Sequence, residues 1–397
     1  MAVDTAPATW DLLDPQFYVD LDEMHQAFAW MRAHAPVWHD ERNDLWAITR
    51  HADLIEAERR SDVFRSGLGY RSFESPGEDN MIAQDDPAHL AQRRLVNRRF
   101  TPNGVKSYEP VIRRVIEELV DEFLPSGRLE VVTDLAAAFP AKLTAHLLGF
   151  PEATWPQIRT WSERLMRYDQ VSRDDGVAMS FITAIMEFDQ VLSEVAAKRR
   201  VQPADDLIST WVGTEIDGCP LSHDTLINET GLVISGGAET TRTVIARSLV
   251  AFAEHPDQWE AMADDPSLVP SAVEEMIRWV TPLNNFFRTC ARDVTIGDVD
   301  LHTGDRVMLA YPSANRDEAV FPDPFEFDIR RSPNPHVAFG QGTHFCLGAS
   351  LARLELRLLF EQLTSRMTEL RVLDGPDIEP NIFVGAVRTL EMAFTAR

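Results

Sequence analysis

The run Phe339-Gly340-Gln341-Gly342-Thr343-His344-Phe345-Cys346-Leu347-Gly348 leads directly into the apolar helical spacing Leu351, Leu354, Leu358, Leu359. Glycines at 340, 342 and 348 let the backbone take positive φ and pass close to a bulky planar group. A cysteine just ahead of a helix start feels the positive end of the dipole and nearby backbone donors, which favour its thiolate. Such a thiolate is a soft metal ligand; the alternative is one more buried, small apolar side chain. A second cluster, Gly236-Gly237-Ala238-Glu239-Thr240-Thr241, interrupts a long helical pattern between Leu226 and Glu254. Two mid-helix glycines cost about 1 kcal/mol each against alanine. They either make room for a ligand beside a threonine hydroxyl that competes with the helix ladder, or allow a close helix crossing. Two charged pairs complete the set: Glu275 and Arg278 at i,i+3, and His89 and Arg93 at i,i+4, each on one helix face.

A scaffold for these residues is legible in the hydrophobic periodicity. A helix from Leu21 to Ala33 precedes two β-type runs, Pro36 to His39 and Leu45 to Thr49, the pattern of a small hairpin. A Gly, Ser, Pro and Asp-rich stretch from Ser66 to Pro87 is long enough to be a functional lid. From Pro87 to Ala261 the pattern is helical, as in Val111, Val115, Leu119, Phe123 and Phe181, Ile185, Phe188, Leu192, with prolines 203, 220, 256 and 266 between segments. Short β pieces return at Asp293 to Ile296, Arg306 to Ala310 and Thr389 to Phe394. The expected fold is mainly α with small β-sheets in a single large domain, residues 1–397, with a β-containing part to about residue 85 and a helical body from about 86.

Composition narrows the function classes. The 397 residues carry a formal charge of −25, which disfavours nucleic acid, whose binding rests on neutralised phosphates. A chain of this size buries about three quarters of its unfolded surface, so it needs no metal or disulfide staple. Three widely spaced cysteines with no CxxC pair indicate neither a disulfide framework nor a zinc knuckle and fit a reducing cytoplasm. No uninterrupted apolar run of about 18 residues indicates a membrane span, and the N-terminal segment does not read as a signal peptide.

The cysteine segment resembles the haem-binding loop of the cytochrome P-450 family, the haem-thiolate monooxygenases, whose pattern F-G-x-G-x-H-x-C-x-G is matched by Phe339, Gly340, Gly342, His344, Cys346 and Gly348. The resemblance covers about residues 10 to 397. It implies haem b with Cys346 as axial ligand, Phe339 packed near it, and His344 on a haem propionate. A thiolate on haem iron pushes electron density toward O–O cleavage. Glu275-Met276-Ile277-Arg278 resembles the family's E-x-x-R motif, and Phe327 to Arg331 its partner segment, which makes Arg331 the third member of a structural network. His89 and Arg93 in DPAHLAQRR would hold one haem propionate and Arg288 in FFRTC the other. Gly236 to Thr241 resembles the oxygen-binding motif, with the Thr240 hydroxyl directed at dioxygen and Glu239 relaying protons.

By position, the family's substrate contacts fall on Ile82, Ile234, Gly237, Leu283, Phe286, Phe383 and Val384. They are nearly all apolar, which suits a lipid, steroid or terpenoid held by burial. DDPAHLAQRR, VEEMIRWVTPL, SANRDEAVF and RSPNPHVAFGQGTHFCLG are similar to segments of actinobacterial enzymes that hydroxylate terminal methyl groups of sterol side chains or methyl-branched lipids. The resemblance further implies a separate ferredoxin and an NAD(P)H-dependent ferredoxin reductase. Arg93, Arg94, Arg98 and Arg99 form either a landing patch for an acidic ferredoxin or a solvated face. Tailoring of a secondary metabolite, a non-catalytic haem sensor and a peroxide-driven peroxygenase are the competing functions.

Overall fold

A computed structural model describes residues 10–75, 78–216 and 218–397. Residues 1–9 and 76–77, the latter within the irregular stretch expected from Ser66 to Pro87, lie outside the described residues, as does residue 217. The main helices are α1 (Leu21–His34), α2 (His51–Arg59), α3 (Ala88–Val96), α4 (Glu109–Phe123), α5 (Ala138–Leu148), α6 (Trp155–Leu165), α7 (Asp175–Val201), α8 (His223–Glu254), α9 (Val269–Val280) and α10 (Ala349–Arg366). The main strands are β1 (Val37–Asp40), β2 (Leu45–Ile48), β3 (Phe64–Arg65), β4 (Arg128–Glu130), β5 (Asn285–Cys290), β6 (Arg306–Ala310), β7 (Met367–Ile378) and β8 (Val387–Ala396). Helix starts follow local chemistry: the side chains of Asp20, Asp174 and Ser222 accept from backbone N–H groups of the first turns of α1, α7 and α8.

The chain divides into two compact units, each assembled from separated segments. Among the described residues, the first takes 10–75, 271–346 and 378–386; the second takes 78–216, 218–270, 347–377 and 387–397. The sequence suggested a β-containing start followed by a helical body, whereas residues 271–346 return to the N-terminal elements because β5 and β6 complete their sheet. That sheet has the order β1-β2-β6-β5-β3, with β6 parallel to β2 and antiparallel to β5. Both faces of β6 are buried, as the apolar run Val307 to Ala310 requires. Val307 and Leu309 pack with Leu54 and Ala57 of α2. Met308 and Ala310 point the other way, onto Met24, Phe28 and Met31 of α1, the two-residue period of a strand.

The second unit is built round α8, 32 residues long. Helix α8 packs on α5 and α6, and Phe252 near its end meets Trp259 at 5.3 Å and Phe360 of α10 at 5.8 Å. A small sheet, β7-β8-β4, completes the unit. Among the described residues, one 18-residue window, Val131–Leu148, is apolar enough to cross a membrane, and 78% of it is buried inside the fold. It is interrupted by Asp134 and Lys142.

Candidate active site

In the first unit, residues 337–346 form a tight loop. The Gly340 N–H donates to Val337 O at 2.8 Å and the Cys346 N–H to Phe339 O at 2.8 Å. Gly340 and Gly342 have φ of 67° and 70°. Their nearest constraint is α2: a Cβ on Gly342 would stand 2.3 Å from the Glu58 carbonyl oxygen, and one on Gly340 would stand 2.9 Å from Glu58 Oε1. Gly348 has φ −80° at the cap of α10, so the freedom expected there is not used. Glu58 itself is buried; Tyr311 Oη donates to it at 2.6 Å, and the Gln341 N–H also donates to its carboxylate. Desolvation pushes its carboxyl up to about 7, against the lowering effects of Tyr311, Arg288 and the Gln341 N–H. Arg288 of β5 is buried and donates from Nη1 to Phe287 O at 2.8 Å. His344 Nε2 is 3.4 Å from Ser66 Oγ, and the Phe339 ring lies 6.3 Å from Phe345.

Beneath this loop is an ion network centred on the fully buried Glu275 and Arg278. Arg278 Nε and Nη2 reach the two Glu275 carboxylate oxygens at 2.7 Å each. Arg331 Nε reaches Glu275 Oε2 at 3.2 Å, and Asn334 Nδ2 and the Asp328 N–H donate to the same carboxylate. Arg278 Nη1 donates to Asn315 O, and Asn315 Oδ1 accepts from the Val337 N–H at 2.8 Å. Hydrogen bonds thus run continuously from α9 to the foot of the cysteine loop. The first unit also gathers an apolar cluster: Leu283 bridges Val384, Phe286 meets Phe383 at 5.2 Å and Tyr70 at 6.0 Å, and the Arg71 guanidinium lies 3.6 Å over the Phe383 ring.

In the second unit, Thr240 Oγ1 donates to Gly236 O at 2.7 Å, one turn back along α8. A Cβ on Gly236 would meet nothing within 4 Å, whereas one on Gly237 would stand 3.1 Å from Thr144 Oγ1 of α5. One glycine therefore leaves space on the Thr240 face, and the other serves the helix crossing. Gly237, expected among the substrate contacts, thus lies at the helix crossing. Ile234, also expected there, is fully buried and stands about a third of a turn round the helix from Thr240. Val233 and Gly236 are the residues that share the Thr240 face, and the α8 periodicity carries that signal.

Glu239 is 3% exposed and pairs with Arg242 at 3.2 Å; Arg242 also reaches Glu163 at 2.7 Å and donates to Val387 O at 2.8 Å. Thr241 Oγ1 lies 3.4 Å from Glu355 Oε2 of α10, whose carboxyl burial pushes up to about 8. Arg242, Glu163 and Glu355 escaped the sequence reading. Arg242 was findable as an i,i+3 partner of Glu239, like Arg278 to Glu275; the other two meet α8 only through the fold. His89 of α3 is fully buried, its Nδ1 2.9 Å from Asp86 Oδ1, and desolvation holds its pKa below the usual range. Arg93 is half-buried one turn further on, and Ile82 is half-buried in the segment before α3. Of the basic cluster, Arg94 and Arg98 are exposed, but Arg99 is paired with Asp205 at 2.6 Å. That ion pair offsets the Arg99 charge within the patch expected from sequence.

The donor set fits a haem-thiolate centre. Of the three cysteines, Cys290 is buried in the core under the sheet, with its thiol pushed up to about 12 by desolvation and the Asp305 charge. Cys219 lies in the two-residue strand Cys219–Pro220, paired antiparallel with Glu215–Ile216. Cys346 alone is exposed in a backbone-defined loop three residues before a long helix. Residues 168–372 match the family model described as Cytochrome P450. A steroid C26-monooxygenase of Mycobacterium tuberculosis is 39% identical over 391 residues, 97% of either chain. A methyl-branched lipid omega-hydroxylase of the same organism is 33% identical over 403 residues, 95% of this chain and 92% of the relative. A solved cytochrome P450 of Mycobacterium marinum, in complex with pseudoionone, superposes with a TM-score of 0.91 at 33% identity, over 99% of this chain and all of that one. The cysteine loop, the network beneath it, and similarity spanning nearly the whole chain lead to one conclusion: the protein belongs to the cytochrome P450 family.

Proposed function

We propose that this cytochrome P450 monooxygenase hydroxylates an unactivated C–H bond near the end of a steroid side chain or methyl-branched lipid, with electrons from a ferredoxin and its NAD(P)H-dependent reductase, in the cytoplasm. The observation that carries the substrate class is the apolar cluster of Leu283, Phe286, Phe383 and Val384, four candidate contacts that the first unit brings together, with the Arg71 guanidinium over the Phe383 ring as the charged group beside them. Burial of an apolar chain against such side chains gives about 25 cal/mol per Å² removed from water. Two relatives whose names specify steroid and branched-lipid oxidation support the same class.

Haem b, held by a cysteine thiolate, supplies the oxygen-activating chemistry in this family. In this chain Cys346 would be the ligand. On the family resemblance, Arg288 and His344 would bind the haem propionates through charge-assisted hydrogen bonds, as would His89 and Arg93. Glu275, Arg278 and Arg331 touch one another and the loop support, so their role is to hold the cysteine loop in place. Thr240 would hold a proton at Oγ1 on the face that Gly236 leaves open. Glu239, salt-bridged to Arg242, would resupply it by exchanging that partner.

Substituting Thr240→Ala removes the hydroxyl and leaves the helix intact. Product per NADH is expected to fall about tenfold or more, the lower range of a lost acid–base group, with hydrogen peroxide appearing in its place; unchanged coupling would remove Thr240 from proton delivery. Charge reversal at Arg94 and Arg98 is expected to raise the KM for ferredoxin several-fold and flatten the salt dependence of turnover, while substrate binding stays constant. An unchanged salt dependence would remove the patch. Optical titration of the ferric protein with cholest-4-en-3-one, a methyl-branched fatty acid and a macrolide precursor tests the substrate class. A high-spin Soret shift with either lipid supports it, and a shift with the macrolide alone assigns the chain to secondary-metabolite tailoring.

A further inference from the structure

The first two turns of α8 hold a second set of buried polar side chains, distinct from the Glu239–Thr240 pair. Glu229 is 1% exposed, and its Oε1 accepts from the Met81 N–H at 2.8 Å. One turn earlier, Thr225 is 5% exposed and donates from Oγ1 to Asp79 Oδ2. Asp79 also accepts from Gln84 Nε2 at 2.7 Å and from Gln92 Nε2 of α3 at 3.3 Å. Asn80 caps the short turn Met81–Ala83 by accepting from the Ala83 N–H at 3.0 Å. Segment 79–84 is thereby fastened to α8 at two points one turn apart and to α3 at a third.

The placement of this clasp has a consequence for Ile82, which lies within the fastened segment. Glu229, Val233, Gly236 and Thr240 share one face of α8, with Glu229 about 16 Å along the axis from Thr240 at 1.5 Å per residue. Glu229 Oε2 is buried without a hydrogen-bond partner, and desolvation, with the Asp79 charge adding to it, pushes the carboxyl up to about 8. Among the described residues, the hydrogen bond that its carboxyl makes is to this segment, through the Met81 N–H.

We propose that Glu229 is a positioning residue for substrate: by fixing the Met81 N–H it holds segment 79–84 against the oxygen helix, sets where Ile82 stands, and so limits the length and width of the chain that can lie along the Thr240 face. This rests on the reading that Ile82 lines the substrate side.

The test uses the haem-loaded protein and two probes: imidazole, which needs only the iron, and 1-dodecylimidazole, whose chain must also run along the pocket. In Glu229→Ala, amide exchange of the peptide covering 79–84 is expected to accelerate at least tenfold. Affinity for dodecylimidazole should weaken about tenfold, with imidazole affinity and the 450 nm carbon monoxide band unchanged. Glu229→Gln, which keeps the acceptor, should restore both readouts, so a general folding defect in the alanine variant is distinguishable. Ile82→Ala separates the premise from the proposal. If Ile82→Ala changes dodecylimidazole binding and Glu229→Ala does not, the clasp does not position substrate and the proposal is overturned. If Ile82→Ala has no effect, the pocket reading of this segment fails and the proposal falls with it. Unaltered amide exchange in Glu229→Ala overturns the clasp itself.

Discussion

Cys346→Ser is expected to abolish the 450 nm band of the reduced carbon monoxide complex and to reduce oxygenase turnover by more than the roughly 100-fold that loss of an outer partner of a metal ligand costs. The geometry isolates the effect. The loop is closed by main-chain hydrogen bonds, Cys346 N–H to Phe339 O and Gly340 N–H to Val337 O, and by glycines pressed on Glu58. Serine preserves all of these, so the fold should survive while the soft ligand is lost. Neither remaining cysteine can substitute. Cys290 is locked in an apolar core with its thiol held protonated, and Cys219 lies in a separate two-residue strand. A variant that kept the 450 nm band would show that another thiol ligates the iron.

The second large effect is expected at the Glu275 network. Arg278→Ala leaves a fully buried carboxylate facing only Arg331, Asn334 and one backbone N–H. Breaking a buried pair by removing one member costs about 3–5 kcal/mol, because the surviving charge stays desolvated. The carbonyl groups of Asn315 and Pro324 lose their Arg278 donor at the same time, while that of Glu326 keeps Arg331 Nη2. The expected result is a large drop in thermal midpoint together with poor haem retention, since Asn315 also anchors Val337 at the foot of the cysteine loop. Arg278→Lys keeps the charge without the two-pronged geometry and should fall between. As a contrast, Arg292→Ala removes an ion pair with Asp62 whose side chains are both more than 60% exposed, and should cost under about 1 kcal/mol. Equal stability of Arg278→Ala and the parent would contradict a supporting role for the network.

What could be read from the sequence was what local chemistry dictates. The cysteine loop, the i,i+3 pair at Glu275 and Arg278, and the long helix around Thr240 each depend on residues close together in the chain. Helix α1 and strands β1 and β2 fell within two residues of their expected ends for the same reason. Long-range partners were illegible. Glu58 braces the cysteine loop at Gly340 and Gly342, far from it in sequence, and nothing in the α2 pattern marks its carboxyl as buried. Strand β5 was concealed because Asn285 to Cys290 is buried almost throughout, while Asn285, Arg288 and Thr289 interrupt any apolar run, so neither alternation nor a continuous hydrophobic stretch marks it. Strand β7 was concealed for the opposite reason: most of Met367 to Ile378 is exposed or half-exposed, leaving no buried face to imprint a period. The Gly236-Gly237 pair illustrates both levels. Sequence offered ligand space or a helix crossing, and the structure assigns the first to Gly236 and the second to Gly237.

Insertion of one atom of O₂ into a C–H bond of an apolar substrate is tested most directly by turnover of cholest-4-en-3-one and of a methyl-branched fatty acid under ¹⁸O₂, with a ferredoxin, its reductase and NADH. The expected result is a hydroxylated product from at least one of the two, carrying a single ¹⁸O on a terminal side-chain carbon. Consumption of NADH with only peroxide formed, or a product whose oxygen derives from water, in protein with an intact 450 nm band, would contradict it.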